Sequence, residues 1–188
     1  MRKIIVQEWL SMDGYVEDAN GELDFFTSYS QPMEKYDAHQ LAFINQVDTM
    51  LIGRKTYELF VGYWPTEQSA NDLIADSLNG LNKVVLSNTL STADWGNWPK
   101  AHIMKGDTAA IVSNLKNEES GNIVVWGSIS IAQELLAKEL VDELSLFVCP
   151  TILGSGRSFI PNIGQSNWKL ISAEPFEMGM VHLSYQRL

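Results

Sequence analysis

The clearest chemistry in the sequence lies in one stretch, Thr49-Met50-Leu51-Ile52-Gly53-Arg54-Lys55-Thr56-Tyr57. The apolar run Met50-Leu51-Ile52 reads as a buried strand, and Tyr57, Phe60 and Val61 continue at helical spacing. Between the two, Gly53 makes a tight turn, and Arg54, Lys55 and Thr56 fall in the first turn of the helix. A helix start presents backbone N–H groups and the positive end of a dipole. A glycine, having no Cβ, lets a phosphate come close to the backbone. Arg54 and Lys55 add full positive charges at the same place. The stretch can therefore act as a phosphate cradle. The same residues also describe an ordinary strand-to-helix junction with surface cations.

Two further strand ends carry suitable groups. Ser87-Asn88-Thr89 follows Lys83-Val84-Val85-Leu86 and offers two hydroxyls and an amide. Trp126-Gly127-Ser128-Ile129 is a second glycine turn entering a helix. In an open α/β sheet, ligands bind outside the carboxyl ends of the strands. The three sites together suit a molecule with several phosphates, such as a dinucleotide. Each helix dipole contributes only ~0.3–1 kcal/mol for an anion, so direct hydrogen bonds must supply the rest. The G-x-G-x-x-G pattern of dinucleotide-binding turns is absent. Gly154-Ser155-Gly156-Arg157 lacks the third glycine and reads as a loop.

The elements that must position these turns alternate along the chain. Strands are expected over residues 3–10, 48–52, 83–86, 101–104 and 123–126. Helices are expected over 34–47 (with Pro32 before its start), 55–61, 67–78, from an Asp107 cap to 117, and 129–139. A polar loop with turns at Gly14 and Asn20-Gly21 leaves the first strand. Leu144, Leu146 and Val148 alternate, which predicts a strand over 143–148 with one exposed face. Residues 168–173 and 180–187, on either side of Gly179, predict two closing strands. The order implies an α/β fold: a mostly parallel central sheet covered on both faces, finished by an antiparallel C-terminal hairpin, in a single domain over 1–188.

Composition narrows the function classes. A chain of 188 residues buries a sizeable core as one domain. With 45% hydrophobic and 19% charged residues, it has an ordinary soluble composition. A net charge of -10 with 13 Lys+Arg spread along the chain argues against a nucleic-acid partner. No apolar run approaches the roughly 18 residues of a membrane span, and Met1-Arg2-Lys3 leads into only a short strand rather than a signal peptide. The single Cys149 precludes an internal disulfide. The expected location is cytoplasmic. His39, His102 and His182 are far apart in sequence, so no metal site is expected. No G-x-S-x-G motif supports a hydrolase.

The sequence resembles the dihydrofolate reductase-like superfamily, in particular the C-terminal reductase domain of bifunctional riboflavin-biosynthesis proteins. The resemblance rests on Ser11-Met12-Asp13-Gly14, on Leu51-Ile52-Gly53-Arg54-Lys55-Thr56-Tyr57-Glu58 and on Tyr63-Trp64-Pro65. It continues through Val85-Leu86-Ser87-Asn88-Thr89-Leu90, Val125-Trp126-Gly127-Ser128, Leu140-Val141-Asp142-Glu143-Leu144 and Pro150-Thr151-Ile152-Leu153-Gly154-Ser155-Gly156. It implies a three-layer α/β/α sandwich and NADPH as hydride donor. It implies that Gly53, Arg54, Lys55, Thr56, Gly127, Ser128 and Ile129 hold the pyrophosphate and 2′-phosphate region. It also implies that Ser87, Asn88 and Thr89 lie by the adenosine, and that the loop ending at Gly14 lies near the nicotinamide. Relatives often have Arg where this chain has Asn88, and a double glycine where it has Gly127-Ser128.

The implied activity is an NADPH-dependent reduction of a small, heterocyclic substrate by hydride transfer. The alternative is a dinucleotide-binding protein without efficient catalysis. Reduction needs a proton as well as a hydride, and therefore an acid near the acceptor. By position the candidates are Asp13, Glu22, Asp24, Glu34 and Asp37; Asp13, at the strand end, comes first and Asp24 second. An Asp in a turn also bonds its own backbone. Among the six Trp, Trp64 beside the cradle is the candidate for a substrate pocket, although a Trp is also ordinary core material. Apolar closing strands (Leu144, Leu146 and Val148, then Val181, Leu183 and Tyr185) and the resemblance together imply a homodimer built through the C-terminal half. Light scattering at micromolar concentration is expected to give twice the chain mass, and a mass near 21.1 kDa would count against the dimer.

Overall fold

A computed structural model describes residues 1–27, 33–118, 120–160 and 162–188. The strands are Ile4–Ser11 (β1), Tyr15–Glu17 (β2), Val47–Gly53 (β3), Asn82–Leu86 (β4), His102–Met104 (β5), Asn122–Trp126 (β6), Glu143–Cys149 (β7), Arg157–Ser158 (β8), Trp168–Pro175 (β9) and Val181–Arg187 (β10). The helices are Asp24–Thr27 (α1), Glu34–Ile44 (α2), Arg54–Val61 (α3), Ala75–Gly80 (α4), Thr108–Lys116 (α5) and Ile129–Ala137 (α6).

Eight strands form one sheet in the order β5-β4-β3-β6-β1-β7-β10-β9. Six of them, β5 through β7 in that order, run parallel. β10 then pairs antiparallel with β7, and β9 antiparallel with β10. β2 and β8 form a separate two-stranded ribbon.

Strand alternation sorts the core into layers. Ile4, Val6 and Leu10 of β1 pack with Val112 and Leu115 of α5 and Ile131, Leu135 and Leu136 of α6. Ile5 faces the other way and joins Phe43 and Ile44 of α2, Tyr57 of α3 and Leu78 of α4. The result is the three-layer α/β/α sandwich, with the antiparallel hairpin on one side. A third cluster, Phe25, Phe147, Cys149, Phe176 and Met180, fills the space beneath that hairpin. Among the described residues, no helix is long and apolar enough to cross a membrane.

Several expectations change in detail. The helix expected over 67–78 is a short 3-10 turn, Glu67–Ser69, followed by α4. Thr66 accepts from the Gln68 amide, and the Ser69 hydroxyl donates to the Trp64 carbonyl. Such local side-chain bonds compete with a continuous helix. α2 ends at Ile44, because Val47 already begins β3. Pro32 lies outside the described residues. β7 has no exposed face, since Ser145, Phe147 and Cys149 are buried opposite Leu144 and Leu146. Leu144 and Leu146 are therefore internal. Apolar surface on the closing strands lies instead on Leu170 and Ile171 of β9 and Val181 of β10.

A buried polar file crosses the sheet. The Gln7 side-chain amide donates to the Ser145 hydroxyl at 3.1 Å, and that hydroxyl lies 2.9 Å from His182 Nε2. His182 Nδ1 has no hydrogen-bond partner among the described residues. The His39 ring stands 4.4 Å from the His182 ring, centroid to centroid. Burial, and secondarily the neighbouring His39, push the His182 pKa down to about 4. The folded state therefore favours neutral imidazole, whereas the unfolded chain binds a proton near the ordinary value of 6.5. Stability from this group is fully present above pH 6.5 and is lost as pH falls toward 4, by about 3 kcal/mol at most. Urea denaturation between pH 4 and 7 should show this slope, and His182→Gln should flatten it. An unchanged slope in the variant would assign acid sensitivity to other groups.

Candidate cofactor and substrate site

The two glycine turns meet at the carboxyl edge of the sheet. β3 and β6 are adjacent, so Gly53 and Gly127 emerge side by side. The Gly53 amide donates to the Ser128 hydroxyl at 2.6 Å. The Ser128 amide and hydroxyl both donate to Thr56 Oγ1, at 2.9 and 2.8 Å. These three bonds staple the start of α3 to the start of α6.

Little space remains between the turns. A Cβ on Gly53 would sit 3.2 Å from Ile131 Cδ1, and one on Gly127 would sit 3.1 Å from Thr56 Oγ1. Gly127 has φ 52, and Ser128 is also left-handed at φ 56. A non-glycine residue in this region is strained.

Ser128 stands at the N-cap position of α6, but its hydroxyl serves the staple and does not cap the helix. Gly53 provides no side-chain cap for α3 either. Two uncapped helix starts thus lie together, which suits the diphosphate of a dinucleotide.

A cavity of about 940 Å³ opens beside them. One wall is formed by residues 53–56 and 127–131, and another by Gln7, Glu8 and Trp9 of β1. Tyr36, Asp37 and Gln40 of α2, with Phe60, Tyr63 and Trp64 at the end of α3, complete an aromatic arm. The Gln7 side-chain oxygen Oε1 accepts from Gln40 Nε2 at 2.9 Å and from Trp126 Nε1 at 2.7 Å. That oxygen ties the sheet to α2 under the cavity.

Of the residues expected from sequence, Gly53, Arg54, Lys55, Thr56, Gly127, Ser128, Ile129 and Trp64 share this cavity. Arg54 is already engaged, since its guanidinium bonds both oxygens of Glu58 at 2.7 and 2.9 Å. Lys55 has no ion pair among the described residues.

The others fall elsewhere. Ser87 accepts from the amides of Thr89 and Leu90, and Asn88 accepts from Gly106; only the preceding Leu86 lines the cavity. Gly14 shapes the turn after β1 at φ 82, outside the lining. Asp24 opens α1 and is also outside it.

Asp13 serves as a clamp between two loops. Its carboxylate accepts from the Ser11 hydroxyl at 2.7 Å and from the amides of Leu153 and Gly154 at 3.1 and 2.7 Å. The Ser11 bond first, with the two amides adding to it, holds its pKa below the usual carboxylate range. Asp13 lies off the cavity wall.

Glu8 lines the cavity and was not singled out by the sequence motifs. Its signal was a charge in the middle of an apolar strand, between the buried Val6 and Leu10. Burial pushes its carboxyl up to about 8, against a smaller opposing effect from Arg157. Asp37 is also raised, by burial and then by Asp72 and Glu177. Tyr36 is held protonated by burial. Among the described residues, no cluster of three His, Cys, Asp or Glu converges to hold a metal ion.

Comparison with known proteins places this architecture. The fold is that of the dihydrofolate reductases: the enzyme from Enterococcus faecalis, solved with NADP(H) and RAB-propyl, superimposes with a TM-score of 0.64 at 15% identity, over 98% of this chain and 96% of that one. A diaminohydroxyphosphoribosylaminopyrimidine deaminase/5-amino-6-(5-phosphoribosylamino)uracil reductase from Thermotoga maritima matches at 0.66 and 12% identity, over 100% of this chain and 57% of that one. A protein assigned to riboflavin biosynthesis in Shewanella sp. PV-4 matches at 0.77 and 25% identity, over 99% of both chains. The profile of the family described as RibD C-terminal domain matches residues 2–182, and the chain belongs to that family.

The staple has a stability consequence. Ser128→Ala keeps the left-handed strain and removes the hydroxyl bonds to Gly53 and Thr56, for an expected loss of about 1–3 kcal/mol. Ser128→Gly loses the same bonds but relieves the strain, so it should be the more stable of the two by about 1 kcal/mol. Denaturant midpoints of both variants check the order. An alanine variant as stable as the glycine one would mean that the backbone at 128 relaxes out of the left-handed region.

Proposed function

We propose that the protein is an NADPH-dependent reductase of a small heterocyclic substrate. The observation that carries the reading is the stapled pair of uncapped helix starts on the wall of a cavity whose far arm is aromatic. Family membership and the likeness to a reductase solved with NADP(H) support it.

The first-turn amides of α3 and α6, with Lys55, hold the diphosphate. Arg54 reads the 2′-phosphate once Glu58 gives way. When bound, the cofactor supplies a hydride equivalent. The aromatic arm formed by Tyr36, Phe60 and Trp64 receives a flat substrate and excludes water. The surrounding chain is acidic, with net charge -10, so selectivity for the more highly charged cofactor depends on these local cations.

The test combines turnover and binding. NADPH oxidation is measured against pterins, flavin precursors and small carbonyl or imine compounds, and at least one is expected to be reduced. Calorimetric titration of Arg54→Ala should show NADPH affinity falling about tenfold more than NADH affinity. Glu58→Gln, which frees the guanidinium, should shift preference toward NADPH. Equal losses for both cofactors in Arg54→Ala would assign Arg54 to the shared diphosphate or to the fold. Tight NADPH binding with no substrate turned over would favour a dinucleotide-binding protein without efficient catalysis.

A further inference from the structure

We infer that Glu8 of β1 is the acid that delivers the proton in this reduction, from a buried position on the cavity wall. The inference rests on the reductase reading above.

Glu8 is 8% exposed, and its Oε1 has no hydrogen-bond partner among the described residues. Buried polar atoms are otherwise nearly always paired, so a lone one beside a cavity calls for a partner that the chain itself does not supply. Strand alternation places Glu8 on the face shared by Val6 and Leu10, opposite Gln7 and Trp9. Both faces border the cavity because β6 pairs with β1 only as far as Gln7, leaving the edge of β1 beyond it open. That face belongs to the apolar cluster containing Val16 and Ile131, and both of these residues line the cavity with it. Burial in these apolar surroundings pushes the carboxyl up to about 8, against a smaller opposing effect from Arg157.

The other carboxyl groups of the cavity are placed differently. Glu17 of β2 lies 3.9 Å from Arg157 of β8, and Asp72 accepts the Tyr63 hydroxyl at 2.7 Å. Asp37 of α2 is only partly buried and shares its surroundings with Asp72 and Glu177. Glu8 is thus the one cavity carboxyl, among the described residues, that is both buried and left with an unpartnered oxygen.

The step balances. The carbon of a polarised C=N or C=O bond accepts the hydride, and the π pair moves to the heteroatom. The O–H bond of Glu8 breaks as the new N–H or O–H bond forms. NADPH is oxidised and the double bond reduced. Glu8 is left as a carboxylate within the field of Arg157 and regains its proton from water.

Glu8→Gln keeps the shape and removes the acid. Turnover should fall by ~10²–10⁴, with NADPH affinity within a few-fold of wild type. The decline of wild-type turnover as pH rises through about 8 should vanish from the residual activity. Asp37→Asn should keep that decline. Two readouts need no turnover. In the protein without cofactor, infrared difference spectra should show a protonated carboxyl that titrates near 8 and is missing in Glu8→Gln. Glu8→Met should melt at a higher temperature than wild type, because it removes a buried polar atom kept for function rather than for the fold. A Glu8 ionised at pH 6, a pH limb lost in Asp37→Asn but kept in Glu8→Gln, or NADPH affinity that collapses in Glu8→Gln without the limb changing would each overturn the assignment. Wild type that turns over no substrate while Glu8 still titrates near 8 would overturn the reductase reading, and the proton-delivery role with it.

Discussion

The site depends on three short hydrogen bonds among Gly53, Thr56 and Ser128. They join residues 72 and 75 positions apart in the chain. Without them, α3 and α6 would each present a separate helix start, worth little to an anion. With them, the first turns of both helices lie side by side on one cavity wall. Gly53 and Gly127 lack side chains because a Cβ on either would press into the opposite turn. Ser128 carries the cost of a left-handed residue, and its hydroxyl takes part in two of the three bonds.

Around this junction the chain distributes its few cations unevenly. Arg2 is buried in ion pairs with Asp48 and Glu118, and Lys116 pairs with Asp142. These residues lie at the amino ends of the parallel strands, or pack against them, and serve the fold. Arg54 and Lys55 stand at the opposite edge, on the cavity. Two of the acidic protein's 13 Lys and Arg thus stand side by side on the cavity, where the proposed reading puts a phosphate. On that reading the Arg54–Glu58 pair moderates the charge, and an incoming anion would exchange partners with Glu58.

Much of this was legible in the sequence because it is local. The strand-turn-helix pattern of 50–61 and of 123–137 shows in residue spacing, and the alternation of elements implied the parallel sheet. What was not legible depends on distant neighbours. Asp13 reads as an acid beside a strand end until Leu153 and Gly154, 140 and 141 residues away, supply its hydrogen bonds. Alternation in β7 marked one apolar face but could not show that Ser145, Phe147 and Cys149 are covered as well. β2 and β8, of three and two residues, are too short for periodicity to reveal. The Ser87 hydroxyl serves its own loop and the Asn88 side-chain oxygen ties that loop to Gly106 after β5, contacts that residue spacing does not show. Glu8 was visible only as a misfit in an apolar strand, and its meaning came from the cavity beside it.

The Asp13 clamp bears on the timing of recognition. One carboxylate, with three donors from two chain segments, fixes the loop after β1 to the loop after β7. The Phe159 amide, bonded to the Gly14 carbonyl, adds a second tie. A loop fastened in this way loses its conformational entropy when the chain folds, not when a ligand arrives. The clamp itself stands off the cavity, but Val16, Glu17 and Arg157 on the adjoining ribbon line it, so that part of the wall is positioned by folding rather than by a ligand.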